Sequence, residues 1–220
     1  MERNVLLTEY VGSLILTTTV ISSGILSMAF TGGDVGLSVL IIAFSTGFVV
    51  FALVESLGPV SGCHINPVVT LSAVVTRAMD VTTGIKYVIV QIAGGITAAA
   101  LSHAMFEMPL FAVSDVVRLS YGTALSEIVT TFGLVMVIFC CVRRESRLTP
   151  LAIGLYVVSA VYWTSSTSFA NPQVTIGRIF TDTLTGIRPT DAVAFIVMQA
   201  IGSILATGFY CYIYPKGPEE

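Results

Sequence analysis

Six stretches of the chain stay apolar for about 20 residues each, near 5–30, 36–56, 84–105, 122–142, 149–166 and 192–214. That is the length a helix needs to cross a hydrocarbon core of ~30 Å. Between the second and third stretches, and again between the fifth and sixth, lie two shorter segments of a different grammar. Each opens on small and polar residues, Ser61 and Gly62 in one and Ser165 and Ser166 in the other, and then reaches an Asn-Pro pair, Asn66-Pro67 or Asn171-Pro172. Asn before Pro reads as an N-cap followed by a first helical residue, the one place where a missing backbone N–H is harmless. The apolar helices that follow, 66–79 and 171–182, are too short to span, which predicts re-entrant half-helices. Irregular backbone at membrane depth survives only where it is buried in protein or lines a wet cavity, so a cavity is expected beside these segments.

Composition agrees with a lipid environment. Hydrophobic residues make up 55% of the 220 and charged residues 10%, against about 25% charged in a soluble domain. The first stretch contains Glu9 and lacks a small-residue cleavage site, so it is read as a retained span. Net charge is −3, but topology depends on Lys and Arg by loop. With the N-terminus inside, Arg3, Arg77, Lys86, Arg143, Arg144, Arg147 and Lys216 fall inside and Arg118, Arg178 and Arg188 outside. That bias places both termini in the cytoplasm of a protein of the cell membrane. No basic tract suggests nucleic acid, and Cys63, Cys140, Cys141 and Cys211 have neither metal-ligand spacing nor the look of a disulfide framework.

The two halves repeat each other. Glu9 opens the first span as Glu127 opens the fourth, the Asn66 segment pairs with the Asn171 segment, and Gln91, Gly94 and Ala98 pair with Gln199, Gly202 and Ala206. Each half, 1–110 and 111–220, holds three full spans, so the second copy enters the membrane from the opposite side. Inverted repeats place a transport site near the bilayer midplane, where discontinuous helices from the two halves meet. The fold class expected is an all-α membrane protein with six transmembrane helices, two re-entrant half-helices and an inverted internal repeat.

On these residues the chain resembles the aquaporin and aquaglyceroporin (major intrinsic protein) family, as an atypical bacterial-type member. The resemblance covers nearly the whole chain, including Glu9, Glu127 and the approach Ser61-Gly62-Cys63-His64-Ile65-Asn66-Pro67. It implies a homotetramer in which each subunit has its own pore. Alanine of the family's first Asn-Pro-Ala box is Val68 here, and alanine of the second is Gln173. The arginine that in most of the family follows the second box is Val174, while Arg178 lies one helical turn further and is not equated with it. These departures leave a channel but put strict water selectivity in question.

The expected pore has Asn66 and Asn171 at its midplane, each capping its half-helix and offering amide N–H groups to a passing oxygen. Two helix N-termini, each worth roughly +0.5 elementary charge, would meet there and repel cations. Gly62, Cys63, His64 and Gln173 are read as pore lining, with carbonyls of 62–65 and 167–170 as polar rungs. Cys63 as a reactive thiol and His64 as a pH gate are the alternatives. Val174 and Ser168 are the firmer members of the outer constriction. Phe44 is set against Thr46, and Ser159 against Val161, as the contributions of spans two and five. Glu9 and Glu127 are read as structural acids that accept N–H bonds from the irregular segments, with a proton relay as the alternative. His103 is placed at the membrane interface.

The function expected is a passive channel for small uncharged solutes such as water and glycerol-like polyols, without a cofactor or metal and not an enzyme. The alternatives are a facilitator of neutral metalloid hydroxides on the same fold, and a secondary active transporter. The latter needs a coupling-ion site, and no acidic cluster in the spans provides one apart from the paired glutamates. An intramembrane enzyme would need a nucleophile, a base and a third group, and His64 beside Cys63 lacks the third.

Overall fold

A computed structural model describes residues 2–215. Lys216, counted above with the inside charges, lies outside them. The eight α-helices among the described residues are α1 (Glu2–Phe30), α2 (Val35–Ser61), α3 (Pro67–Val75), α4 (Val81–Met105), α5 (Tyr121–Arg143), α6 (Thr149–Trp163), α7 (Pro172–Gly177) and α8 (Pro189–Ile213), with a 3-10 turn at Arg178–Phe180 after α7. Five of them, α1, α2, α4, α5 and α8, are long and apolar enough to cross a membrane.

Helix α6 is shorter than its apolar stretch. Its 15 residues rise about 22 Å, less than a hydrocarbon core. It ends at Trp163 because Thr164 is extended and its hydroxyl turns back to the Ala160 carbonyl at 2.7 Å, after which the chain enters the second irregular segment. The half-helices are also shorter than expected: α3 ends at Val75 rather than 79, and α7 stops after six residues, passing into the 3-10 turn and an irregular stretch to Arg188.

Asn66 and Asn171 cap α3 and α7 as their positions predict. Asn66 Oδ1 accepts from Val68 N at 3.1 Å, and Asn171 Oδ1 accepts from Gln173 N at 3.1 Å. Before each cap the backbone is left-handed at the same offsets: Cys63 and Ile65 at φ 47° and 40°, with Gly62 at 83°, match Ser168 and Ala170 at 50° and 46°, with Thr167 at 59°. Non-glycine residues avoid this region, and such conformations persist only where the surroundings impose them.

The imposing groups are two carboxylates. Glu9, fully buried on α1, accepts the backbone N–H of His64 at 3.0 Å and of Ile65 at 2.8 Å, and the Ser61 hydroxyl at 2.6 Å. Glu127, fully buried on α5, accepts the N–H of Phe169 and of Ala170, both at 3.0 Å. A glutamine holds each acid in place: Gln91 Nε2 donates to Glu9 at 2.8 Å, and Gln199 Nε2 to Glu127 at 2.7 Å. Those glutamines sit on α4 and α8, which approach α1 and α5 closely because Gly94 and Gly202 carry no side chain. A Cβ at Gly94 would lie 2.6 Å from the Tyr10 carbonyl, and one at Gly202 would meet the Ile128 carbonyl.

Two outcomes follow for thermal unfolding in detergent. Gly94→Val forces α4 off α1 and lowers the melting temperature, by the 1–3 kcal/mol typical of overpacking or about that, whereas Gly208→Ala, which meets nothing within 4 Å, leaves it unchanged. Glu127→Ala strands buried N–H groups at about 1–3 kcal/mol each. It is expected to lose folded protein at every pH, and stable Glu127→Ala protein with only a proton-dependent defect would restore the relay reading.

Candidate channel and its lining

A cavity of about 460 Å³ runs between the two irregular segments and is lined by residues of both, Gly62 to Asn66 and Thr167 to Asn171. The two half-helix caps meet in it. Asn66 Nδ2 donates to the Ala170 carbonyl at 2.8 Å, and Asn171 Nδ2 donates to the Ile65 carbonyl at 2.9 Å. Each amide thus uses one N–H to bind the opposite segment and retains a second donor. The dipoles of α3 and α7 both start here, which makes this the most positive part of the channel contributed by backbone.

The glutamates engage the N–H side of each segment and leave the carbonyls. Among the described residues, the carbonyls of Gly62, Cys63 and His64, and those of Thr167, Ser168 and Phe169, accept no hydrogen bond from the protein. Buried backbone carbonyls without a partner are rare unless water or solute supplies one. The rest of the wall is mainly aliphatic, with Leu16, Val50, Leu134 and Ile153 among its residues.

Of the residues singled out above, Asn66, Asn171, Val174, Ser168, His64, Cys63 and Gly62 line this cavity. Ser168 Oγ pairs with Thr130 Oγ1 at 2.6 Å, and His64 Nδ1 with Thr70 Oγ1 at 3.1 Å. Three others do not line it. Phe44 is 42% exposed on the outside of α2, where its ring packs against Phe48, and Thr46 takes the inward position. Ser159 faces outward beside α5, and Val161 lines the cavity instead. Gln173 is fully buried: its Oε1 accepts from Thr17 Oγ1 at 2.8 Å, its Nε2 donates to the Ile65 carbonyl of the first segment at 3.3 Å, and its chain fills the space left open at Gly95. His103, in the last turn of α4, is fully buried within the protein, with one ring nitrogen 2.6 Å from the Pro109 carbonyl and the other 2.8 Å from Thr181 Oγ1.

Arginines complete the far end, away from the termini. Arg178 lines the cavity, with its Cζ 3.4 Å from the centre of the Phe169 ring and its Nε donating to the Thr185 carbonyl. Arg118 lines it too, 5.3 Å from the same ring, with Nε on the Gly186 carbonyl and Nη2 on that of Leu184 at 2.6 Å. Arg118 was placed above only as a loop charge. The α4–α5 connection brings it in by pairing with the stretch after α7: Ser114 N donates to Ile179 O at 2.8 Å, and the backbone N–H groups of Arg118 and Leu119 converge on Asp191 at 2.7 and 2.8 Å. Burial draws Arg118 down to about 10 while Glu127 acts the other way, so it stays charged at neutral pH. A lone arginine in a short, largely apolar connection was the signal in the sequence that could have marked it.

Comparison with known proteins agrees with this geometry. The family model described as Major intrinsic protein matches residues 2–169. Aquaglyceroporin AqpS of Rhizobium meliloti (strain 1021) is 39% identical over 198 residues, covering 90% of this chain and 84% of that protein. Aquaporin C of Dictyostelium discoideum is 30% identical over 194 residues, covering 81% and 70%. Among solved structures, the X-ray structure of the aquaglyceroporin from Plasmodium falciparum shares the fold with a TM-score of 0.76 at 18% identity, covering 98% of each chain. On the extent of these matches and the paired Asn-Pro half-helices, the chain belongs to the major intrinsic protein family.

Proposed function

We propose that this protein is a passive transmembrane channel for small uncharged solutes, water and glycerol-like polyols, which pass in contact with the carbonyls left free on the two irregular segments. The observation that carries the reading is the division of labour around Glu9 and Glu127: donors bound to protein, acceptors turned to a cavity. A solute hydroxyl replaces lost hydration on those carbonyls and on the free amide N–H of Asn66 and Asn171 without being held. The α3 and α7 dipoles and the two arginines oppose cations. Relatives named for water and for glycerol conduction support the same class of solute.

Val174, Ser168, Thr46 and Val161 are our choice for the outer constriction, with Arg178 and Arg118 beyond it. Cys63, His64 and Gly62 line the end nearer the termini. Residues 1–110 and 111–220 are read as the two inverted copies. Cytoplasmic termini in the cell membrane follow from the excess of Lys and Arg on the terminal side. A homotetramer, with one pore per subunit, fits the exposed aromatic face of α2 at Phe44, Phe48 and Phe51.

Stopped-flow light scattering on proteoliposomes tests the function. Shrinkage in an impermeant sugar and re-swelling in glycerol are both expected to exceed those of empty vesicles, with no accumulation against a gradient; gradient-driven accumulation would indicate a coupled transporter. Val174→Arg is expected to lower glycerol flux more than water flux, since an added barrier of about 1.4 kcal/mol gives a tenfold fall. Equal loss of both would remove Val174 from the constriction. Asn66→Asp and Asn171→Asp each lose the donor that bridges the segments and place a carboxylate at the helix N-termini. Reduced flux with increased cation leak is the expected result, and unchanged values in both would remove the midplane assignment.

A further inference from the structure

At the far end of the channel two arginines face the cavity without a carboxylate in direct contact among the described residues. Arg118 and Arg178 both lie within 5.3 Å of the centre of one ring, that of Phe169, and both line the cavity. Among the described residues neither guanidinium has a carboxylate in ion-pair contact; the pair recorded in this region is Arg188 with Asp191. The nearby acids are committed elsewhere. Glu127 accepts from Phe169 N, Ala170 N and Gln199, and Asp191 from the backbone of Arg118 and Leu119 and from Arg188. Asp182 accepts from Asp115 N and Ser114.

What holds the two arginines is backbone. Carbonyls of residues 184, 185 and 186 take Nη2 of Arg118, Nε of Arg178 and Nε of Arg118 in turn. A guanidinium has five N–H donors, so each retains several that are fixed in direction but unused by the protein. Two like charges brought together in a partly buried cavity repel, and buried charges in proteins are ordinarily paired or matched by a ligand. The Phe169 face offsets part of that through cation–π attraction. Its quadrupole supplies no acceptor for the remaining N–H groups. A fork of N–H donors matches pairs of oxygens in a planar anion better than it matches a spherical ion.

We propose that Arg118 and Arg178 form a binding site for a small, planar, monovalent oxyanion at the far end of the channel, where its occupancy competes with passage of neutral solute. The proposal extends the channel reading, since competition with solute presupposes the pore. Binding itself does not, so two measurements separate them.

Nitrate serves as the probe, with chloride at equal ionic strength as the spherical control, both present on the two sides of the vesicle. In the first measurement glycerol re-swelling of wild-type proteoliposomes is followed against nitrate. Flux is expected to fall saturably, by about twofold at the concentration that half-fills the site, and less in chloride. In the second, the melting temperature of detergent-solubilised protein is followed. Nitrate is expected to raise it with concentration, more than chloride does. The rise should be lost in Arg118→Gln and Arg178→Gln and partly kept in Arg118→Lys and Arg178→Lys, which preserve charge should the neutral variants not fold.

Absence of glycerol flux without nitrate would count against the channel alone, and the melting measurement would still decide the site. No nitrate effect on wild type in the melting measurement, equal effects of chloride and nitrate, or a nitrate effect that survives in folded Gln variants would each overturn it.

Discussion

A carboxylate buried on a long helix and bonded to the backbone N–H groups of an irregular segment is the interaction on which the rest of this molecule rests, and it occurs twice. Neither segment can be helical, because its residues one and three before the Asn cap are left-handed. Neither can be left to lipid, which offers no hydrogen bonds. Glu9 and Glu127 resolve this by taking donors from one edge of the backbone only. The opposite edge, a row of carbonyls, then has to be served by whatever fills the cavity. The channel is therefore built by the same bonds that make the irregular segments tolerable.

The packing of the long helices serves that arrangement. Gln91 and Gln199 reach their acids because α4 and α8 lie against α1 and α5 at glycines, and each glutamine also bridges to a hydroxyl on a half-helix, Thr70 at 3.1 Å or Thr175 at 3.0 Å. The half-helices are joined to each other through the reciprocal bonds of Asn66 and Asn171.

The two halves share these bonds but diverge beyond them. In the first segment the residue three places before Ile65 is Gly62 and an imidazole follows at His64; in the second, hydroxyls stand at Thr167 and Ser168. The α7 half-helix is shorter than α3, and the chain after it pairs with the α4–α5 connection and carries Arg178 and Arg118 into the cavity. Positive charge missing from position 174 is thus supplied from one turn further along and from a separate connection. Electrostatics at this end is a product of loop packing, whereas at the midplane it comes from helix ends.

Much was legible without coordinates. Apolar runs of spanning length, Asn-Pro caps after small residues, and paired acids in otherwise apolar helices are local or periodic features, and local chemistry determines what they become: spans, half-helix starts and buried clamps. Facing was not legible in the same way. Successive residues of a helix turn by about 100°, so a doubt of two positions, Phe44 against Thr46 or Ser159 against Val161, is a rotation of about 200° and exchanges pore for lipid. Gln173 follows its cap directly, yet which way it points depends on the space above Gly95 on a different helix. The burial of His103 and the arrival of Arg118 depend on partners 66 to 78 residues away in the chain. The sequence by itself thus determined the elements, their order and the chemistry at the midplane, because these follow from local pattern; only the tertiary structure decided which side chains face the lumen and where the arginines sit, because that is set by the relative rotation and contact of segments distant in the chain.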